Sequence, residues 1–238
     1  MGGPVIDGLT KEDDIAFYGS VERVMRLFGI KRIRVDINSR VPNAQGKSKL
    51  LRDHLIFSPK TLGLMKKMGK DEVESILAHE MSHIYYRDYR VLGGMLFLFT
   101  LPMIFFFLQY FLFRGYTGIF YKNGWFLVSL LLFIFGVRAV FWASRRCEER
   151  ADREAVVKIR APEALKSAIA KIAASMAETS GRPGPLRQAI AVAIYILFYV
   201  SGSSHPTLEE RFRHIDLLNE IFIADKAYVT YPHSRDEN

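Results

Sequence analysis

The sequence predicts an α+β fold, mostly helical with a small sheet, into which a hairpin of two membrane-length helices is inserted. Three observations predict it. Two apolar runs, 91–113 and 125–143, are separated by a short polar loop; Arg32-Ile33-Arg34-Val35-Asp36-Ile37 alternates strictly; and His79-Glu80-Met81-Ser82-His83 reads H-E-x-x-H just ahead of the first run. Composition agrees. Half of the residues are hydrophobic and gathered in blocks, while the 24% that are charged lie between them, as in a membrane protein with a substantial soluble part. The net charge of +8 is spread through the polar segments without a nucleic-acid motif, so no nucleic acid is expected and anionic lipid is the simpler partner. Cys147 is the single cysteine, which excludes an internal disulfide and suits a reducing compartment.

Taken in order, the opening Met1-Gly2-Gly3-Pro4 lacks a signal-peptide core, and Ile6 breaks the myristoylation pattern. Thr10 to Phe28 has caps and helical periodicity and stops at Gly29. After the strand at 32–37, a second is expected near His54 to Phe57. Ser58-Pro59 then signals a helix start, and Gly69 closes that helix. Asp71 with Glu74 resembles a capping box for the next helix, whose Val73, Leu77, Met81 and Tyr85 form an apolar stripe away from His79, Glu80 and His83.

The run 91–113 carries no formal charge and is long enough to span with some tilt. The run 125–143 has Trp125 and Trp142 as interfacial anchors, and Arg138 is close enough to one end to snorkel. With the loop 114–124 between them, both ends of the hairpin emerge on one side. That divides the chain into 1–90 and 144–238, the halves of one soluble domain, around the hairpin 91–143. The loop offers only Arg114 and Lys122, whereas Arg87, Arg90, Arg145, Arg146, Arg150 and Arg153 crowd the other side, which places the soluble domain in the cytosol. Farther on, 162–178 reads as a helix ended by Gly181-Arg182-Pro183-Gly184, and Pro206 starts one reaching about Phe222. The apolar stretch 189–200 is too short to cross and is expected as a buried or interfacial helix. His54, His214 and His233 match no motif and read as structural or solvated.

On a helix, a spacing of four puts His79 and His83 on one face with Glu80 beside them. Catalytic zinc takes three protein ligands plus a water, so a third donor must come from elsewhere. A third histidine six residues on is excluded, because Tyr86 and Tyr89 stand where Gly and His would be required. A downstream carboxylate is therefore expected. Glu148 and Asp152, four apart on one helical face, supply it: Glu148 as ligand, Asp152 as the acceptor that fixes a ligand imidazole's tautomer.

With these residues in view, the chain resembles the HtpX-like membrane metallopeptidases, relatives of the CAAX prenyl proteases among the gluzincins. The resemblance spans roughly residues 33 to 220 and rests on H-E-x-x-H, the hairpin, Glu148-x-x-Ala151-Asp152, Asn43-Ala44 ahead of the zinc helix, and His205-Pro206-x-x-x-x-Arg211. It implies a zincin-like metallopeptidase domain with one zinc per chain. It also implies substrate binding near Asn43 and Ala44, an oxyanion donor at His205, and an Arg211 that supports His205 or binds substrate. Many members of the group have a further amino-terminal hairpin, but residues 1–78 hold no apolar stretch of about 18 residues. That anchor is expected to be missing or delegated to a partner.

Zinc on His79, His83 and Glu148 would bring the pKa of its water toward about 7, with Glu80 as general base. An exposed edge at the Ile33/Val35 strand, or at the one near Asn43-Ala44, would add an extended peptide as a further strand. Three functions compete. The first is a quality-control endopeptidase of the cell membrane, cutting unfolded or damaged membrane proteins from the cytosolic side, and possible as a homo-oligomer. The second is a processing protease of the CAAX type, a group that builds its chamber from many more helices. The third is a non-catalytic zinc scaffold or sensor, against which an intact Glu80 argues, since a structural site has no use for it.

Overall fold

In this computed structural model the described residues are 4–8, 15–38, 45–48, 53–112, 119–179 and 206–230. In chain order they form β1 (Val5–Asp7), α1 (Ile15–Phe28), β2 (Arg32–Ile37), β3 (Gln45–Ser48), β4 (Asp53–Phe57), α2 (Pro59–Met65), α3 (Lys70–Tyr85), α4 (Asp88–Leu112), α5 (Ile119–Ile159), α6 (Pro162–Thr179) and α7 (Leu208–Thr230). Two compact units emerge. One holds the described residues up to Tyr86, those from Glu149 to 179 and those from 206 onward; the other holds those from Arg87 to Glu148.

In the first unit the sheet runs in the order β1-β2-β4-β3. β1, β2 and β4 are parallel, and β3 is antiparallel at the edge. The alternation read at 32–37 sets its faces: Ile33 and Val35 are buried, while Arg32 and Arg34 point outward to Asp7 and Asp36. His54, outside every motif, joins this outer face through a 2.8 Å contact of Nδ1 with Asp36. The inner face meets α1 and α3 in one core built from Val21, Val24, Met25, Leu55, Phe57, Leu77 and Met81. Each such side chain contributes about 1.5–3 kcal/mol on burial, and the edge-on pair Phe17–Phe57, with centroids 5.6 Å apart, fixes α1 against the sheet.

β1 is a strand that the sequence reading did not foresee, while β3 begins directly after Asn43-Ala44, where a strand was expected without bounds. Val5-Ile6-Asp7 is too short to show a period, and Gln45-Gly46-Lys47-Ser48 has no apolar alternation; pairing with β2 and β4 creates both. β2 therefore lies between β1 and β4, so the Ile33/Val35 strand offers no free edge. Just after β1, Gly8 adopts φ +83, and a Cβ there would collide with the Val35 carbonyl oxygen. The helix starts follow local chemistry. The Ser58 hydroxyl accepts from Thr61 N–H at 3.0 Å ahead of Pro59, as expected. For α3 the expected Asp71/Glu74 pair gives way to Gly69 and Glu72, with Gly69 N–H donating to Glu72 Oε2 at 3.0 Å. Glu74 is instead buried, 3.1 Å from Arg23. The apolar stripe of α3 holds through Met81, but Tyr85 is 55% exposed and Ile84 takes the inner place.

In the second unit, α4 and the apolar part of α5 are each long and apolar enough to cross a membrane, and only 6% and 17% of these stretches is buried. A core helix of a soluble protein would be covered. The helices touch where Gly136 faces Phe99; a Cβ at Gly136 would collide with that ring, and Phe135 packs edge-on to Phe99 at 6.3 Å. Residues 119–124, expected in the loop, are helical. α5 also continues without a break from the apolar run to Ile159. The expected element at 189–200 and His233 lie outside the described residues. α7 starts two residues after Pro206 on a Thr207/Glu210 capping box, which the T-x-x-E spacing would have announced, and extends to Thr230 rather than ending near Phe222.

Candidate metal centre

α3 is buried on nearly all sides, and His79 and Glu80 are only 8% and 9% exposed, so H-E-x-x-H does not sit on a solvated helix surface. One helical turn brings the two imidazoles together, with Nε2 of His83 3.2 Å from Nε2 of His79 and the rings nearly perpendicular. Glu148 reaches the same point. One ligand atom from each of His79, His83 and Glu148 lies within 4.8 Å of the others. Glu148 is the last residue before the unit boundary, carried on the same unbroken helix as Ala151 and Asp152.

Two nitrogens and a carboxylate, convergent and with His79 and Glu148 buried, fit a metal ion by their chemistry. Two Nε2 atoms bearing lone pairs would repel at this distance unless a proton or a cation lay between them. The remaining ring nitrogen of His79 is also accounted for. Nδ1 lies 2.9 Å from Oδ1 of Asp152, so a proton on Nδ1 leaves Nε2 free to ligate. Asp152 is 1% exposed and receives two bonds from Arg211, Nε to Oδ2 at 2.8 Å and Nη2 to Oδ1 at 2.5 Å. Burial is the largest influence on its pKa and pushes upward. The hydrogen bond and charge of His79, followed by those of Arg211, outweigh it and hold the carboxyl below its ordinary value.

The structure thus brings together five residues singled out in sequence: His79, His83, Glu148, Asp152 and, through Asp152, Arg211. The bidentate grip on Asp152 is the position found for Arg211, which was expected beside His205 or substrate. His205, Asn43 and Ala44 lie outside the described residues, with β3 beginning directly after Ala44. One cluster had no signal in the sequence: Tyr86, at the end of α3, against Arg150 and Glu154 of α5. Neither motif includes these positions, and their spacing carries no pattern.

Residues 21–219 match the model of peptidase family M48. The chain is 31% identical over 219 residues to "Protease HtpX homolog 2" of Methanosarcina mazei, covering 85% of this chain and 72% of that protein. It is 31% identical over 219 residues to "Protease HtpX homolog" of Moorella thermoacetica, with 84% and 71% covered. It is 28% identical over 225 residues to the protein of the same description from a Janthinobacterium species, with 88% and 74% covered. No solved structure matches.

Proposed function

The chain belongs to peptidase family M48, and on that premise we propose that it is a membrane-anchored, zinc-dependent endopeptidase that cuts unfolded or damaged membrane proteins from the cytosolic side. The observation that carries this reading is the convergence of His79, His83 and Glu148, with Asp152 orienting His79. Two imidazoles and one carboxylate suit zinc and leave a coordination position open.

A metal ion held by His79, His83 and Glu148 would supply Lewis-acid polarisation and a nucleophilic water at neutral pH. The protein does the rest. A Glu80 carboxylate oxygen takes the proton of the attacking water and returns it to the departing amine nitrogen. Arg211 and Asp152 keep the His79 ring in one tautomer and one orientation. His205 donates to the oxyanion as the carbonyl carbon becomes tetrahedral. An extended substrate adds to the outer edge of β3, where no described strand pairs and which lies against α3. Backbone pairing of this kind selects for unfolded chain rather than for a particular sequence, consistent with a quality-control role. Asn43 and Ala44, just ahead of β3, are suitably placed in sequence to hold that strand.

The test is metal removal. Treatment with a strong chelator should bring casein-type proteolysis to background, and about one equivalent of zinc per chain should restore it. Undiminished proteolysis by protein shown to be metal-free would refute the assignment.

Orientation rests on arginine. Arg87 and Arg90 precede the apolar part of α4, and Arg145 and Arg146 follow that of α5, so this side should be cytosolic. In a Cys147→Ser background, Thr117→Cys should react with an impermeant thiol reagent outside intact cells, and Ser180→Cys only after lysis. The reverse pattern would overturn the topology and the substrate class with it.

A further inference from the structure

We propose that Tyr86, Arg150 and Glu154 form a brace that sets the register between the two helices carrying the metal ligands, making Tyr86 and Arg150 positioning residues of the centre. The inference rests on the metal-site reading above. Its basis is a two-point contact. The Arg150 guanidinium carbon lies 4.2 Å from the centroid of the Tyr86 ring, and the Tyr86 hydroxyl donates to Glu154 Oε1 at 3.2 Å. Arg150 and Glu154 are one helical turn apart on α5, so a single side chain from the end of α3 engages two successive turns of α5. A one-point contact would fix a distance and leave α5 free to slide or rotate. Two points on successive turns fix both.

The brace stands where that matters most. Tyr86 follows the ligand His83 by three residues, and Arg150 lies between Glu148 and Asp152. The His79–Asp152 hydrogen bond also joins these helices, but it acts on a ligand itself; slack there turns the imidazole. The Tyr86 contact touches no ligand and can hold the helices while leaving the ligands to their own geometry. Its inner point is sheltered, with the Arg150 Nε buried, whereas Tyr86 is 37% exposed and its bond to Glu154 lies at the surface.

Among the described residues the chain passes between the two units at 86/87 and at 148/149. At the first passage Tyr86 closes α3 in helical geometry, and the next residue, Arg87, takes φ 58 as the chain enters α4. The second lies two residues before Arg150. All three brace residues belong to the first unit, immediately inside both passages.

Ordinary helix packing would also use such a contact, so the test must read the metal centre and not stability alone. Full-length protein is loaded with cobalt(II), whose visible spectrum reports ligand number and geometry, and its affinity is measured by chelator competition. Tyr86→Ala should weaken cobalt binding by about tenfold or more, as for other groups that orient ligands, and alter the visible bands. Arg150→Met should do the same. Tyr86→Trp and Tyr86→Phe, which keep a ring face for the guanidinium but lose the hydroxyl's bond to Glu154, should each fall between wild type and Tyr86→Ala. Val24→Ala, a core change in α1, serves as a control that lowers Tm without touching the brace. If Tyr86→Phe and Arg150→Met, which preserve most of the packing volume, and Tyr86→Ala, where it folds, all keep wild-type affinity and spectrum like Val24→Ala, the brace is only packing and the proposal is wrong. If wild type takes up no cobalt, or Glu148→Ala binds it as tightly as wild type, the metal-site reading itself falls, and the brace with it.

Discussion

Glu80→Gln should leave the metal in place and reduce peptide hydrolysis by about 10²–10⁴-fold, the usual worth of a positioned general base. The amide has the size of the carboxylate but cannot take the proton of the attacking water. Glu80 is 9% exposed and adjacent in sequence to a ligand, yet it is not part of the convergent donor set, so the substitution removes a proton acceptor and no ligand atom. The result should be a folded, metal-loaded, inactive protein, and any autolysis during purification should stop. Turnover within about tenfold of wild type would take Glu80 out of the role of base.

Glu148→Ala is expected to have the opposite signature: the metal itself is lost. Only three side chains converge at the centre among the described residues, and removing one leaves two imidazoles a turn apart on α3. Affinity should fall by more than the roughly 10–100-fold typical of groups that orient ligands. Asp152→Ala should fall within that range, because His79 would keep its lone pair while losing the acceptor that holds its ring. Equilibrium dialysis with zinc measures both. A Glu148→Ala protein that binds zinc within tenfold of wild type would remove Glu148 from the ligand set.

Much of this centre was legible in sequence because its chemistry is written in helical spacing. His79 and His83 need only a local period to meet, and the same period joins Glu148 to Asp152. Meeting across 65 positions was legible too, since two membrane-length runs with a short loop between them return the chain to its starting side. What stayed hidden depends on partners that are distant in sequence. β1 is a strand only because β2 pairs with it, and its residues state no preference of their own. The same holds for Arg211: its spacing from Pro206 fitted a motif, but nothing in the chain says that its guanidinium turns to Asp152. The start of α3 shows a nearer failure. Asp71/Glu74 and Gly69/Glu72 have the same spacing, and Arg23, 51 positions away, claims Glu74.

One helix runs unbroken from Ile119 to Ile159. From Ala143, where the apolar run ends, to Glu148 is five residues of it, a rise of about 8 Å. A donor of the metal cluster is therefore tied to the end of an apolar run by continuous backbone hydrogen bonding, with no loop between them to absorb movement. A proline or a glycine pair placed between Ala143 and Glu148 would uncouple that donor from the run without touching any side chain of the cluster.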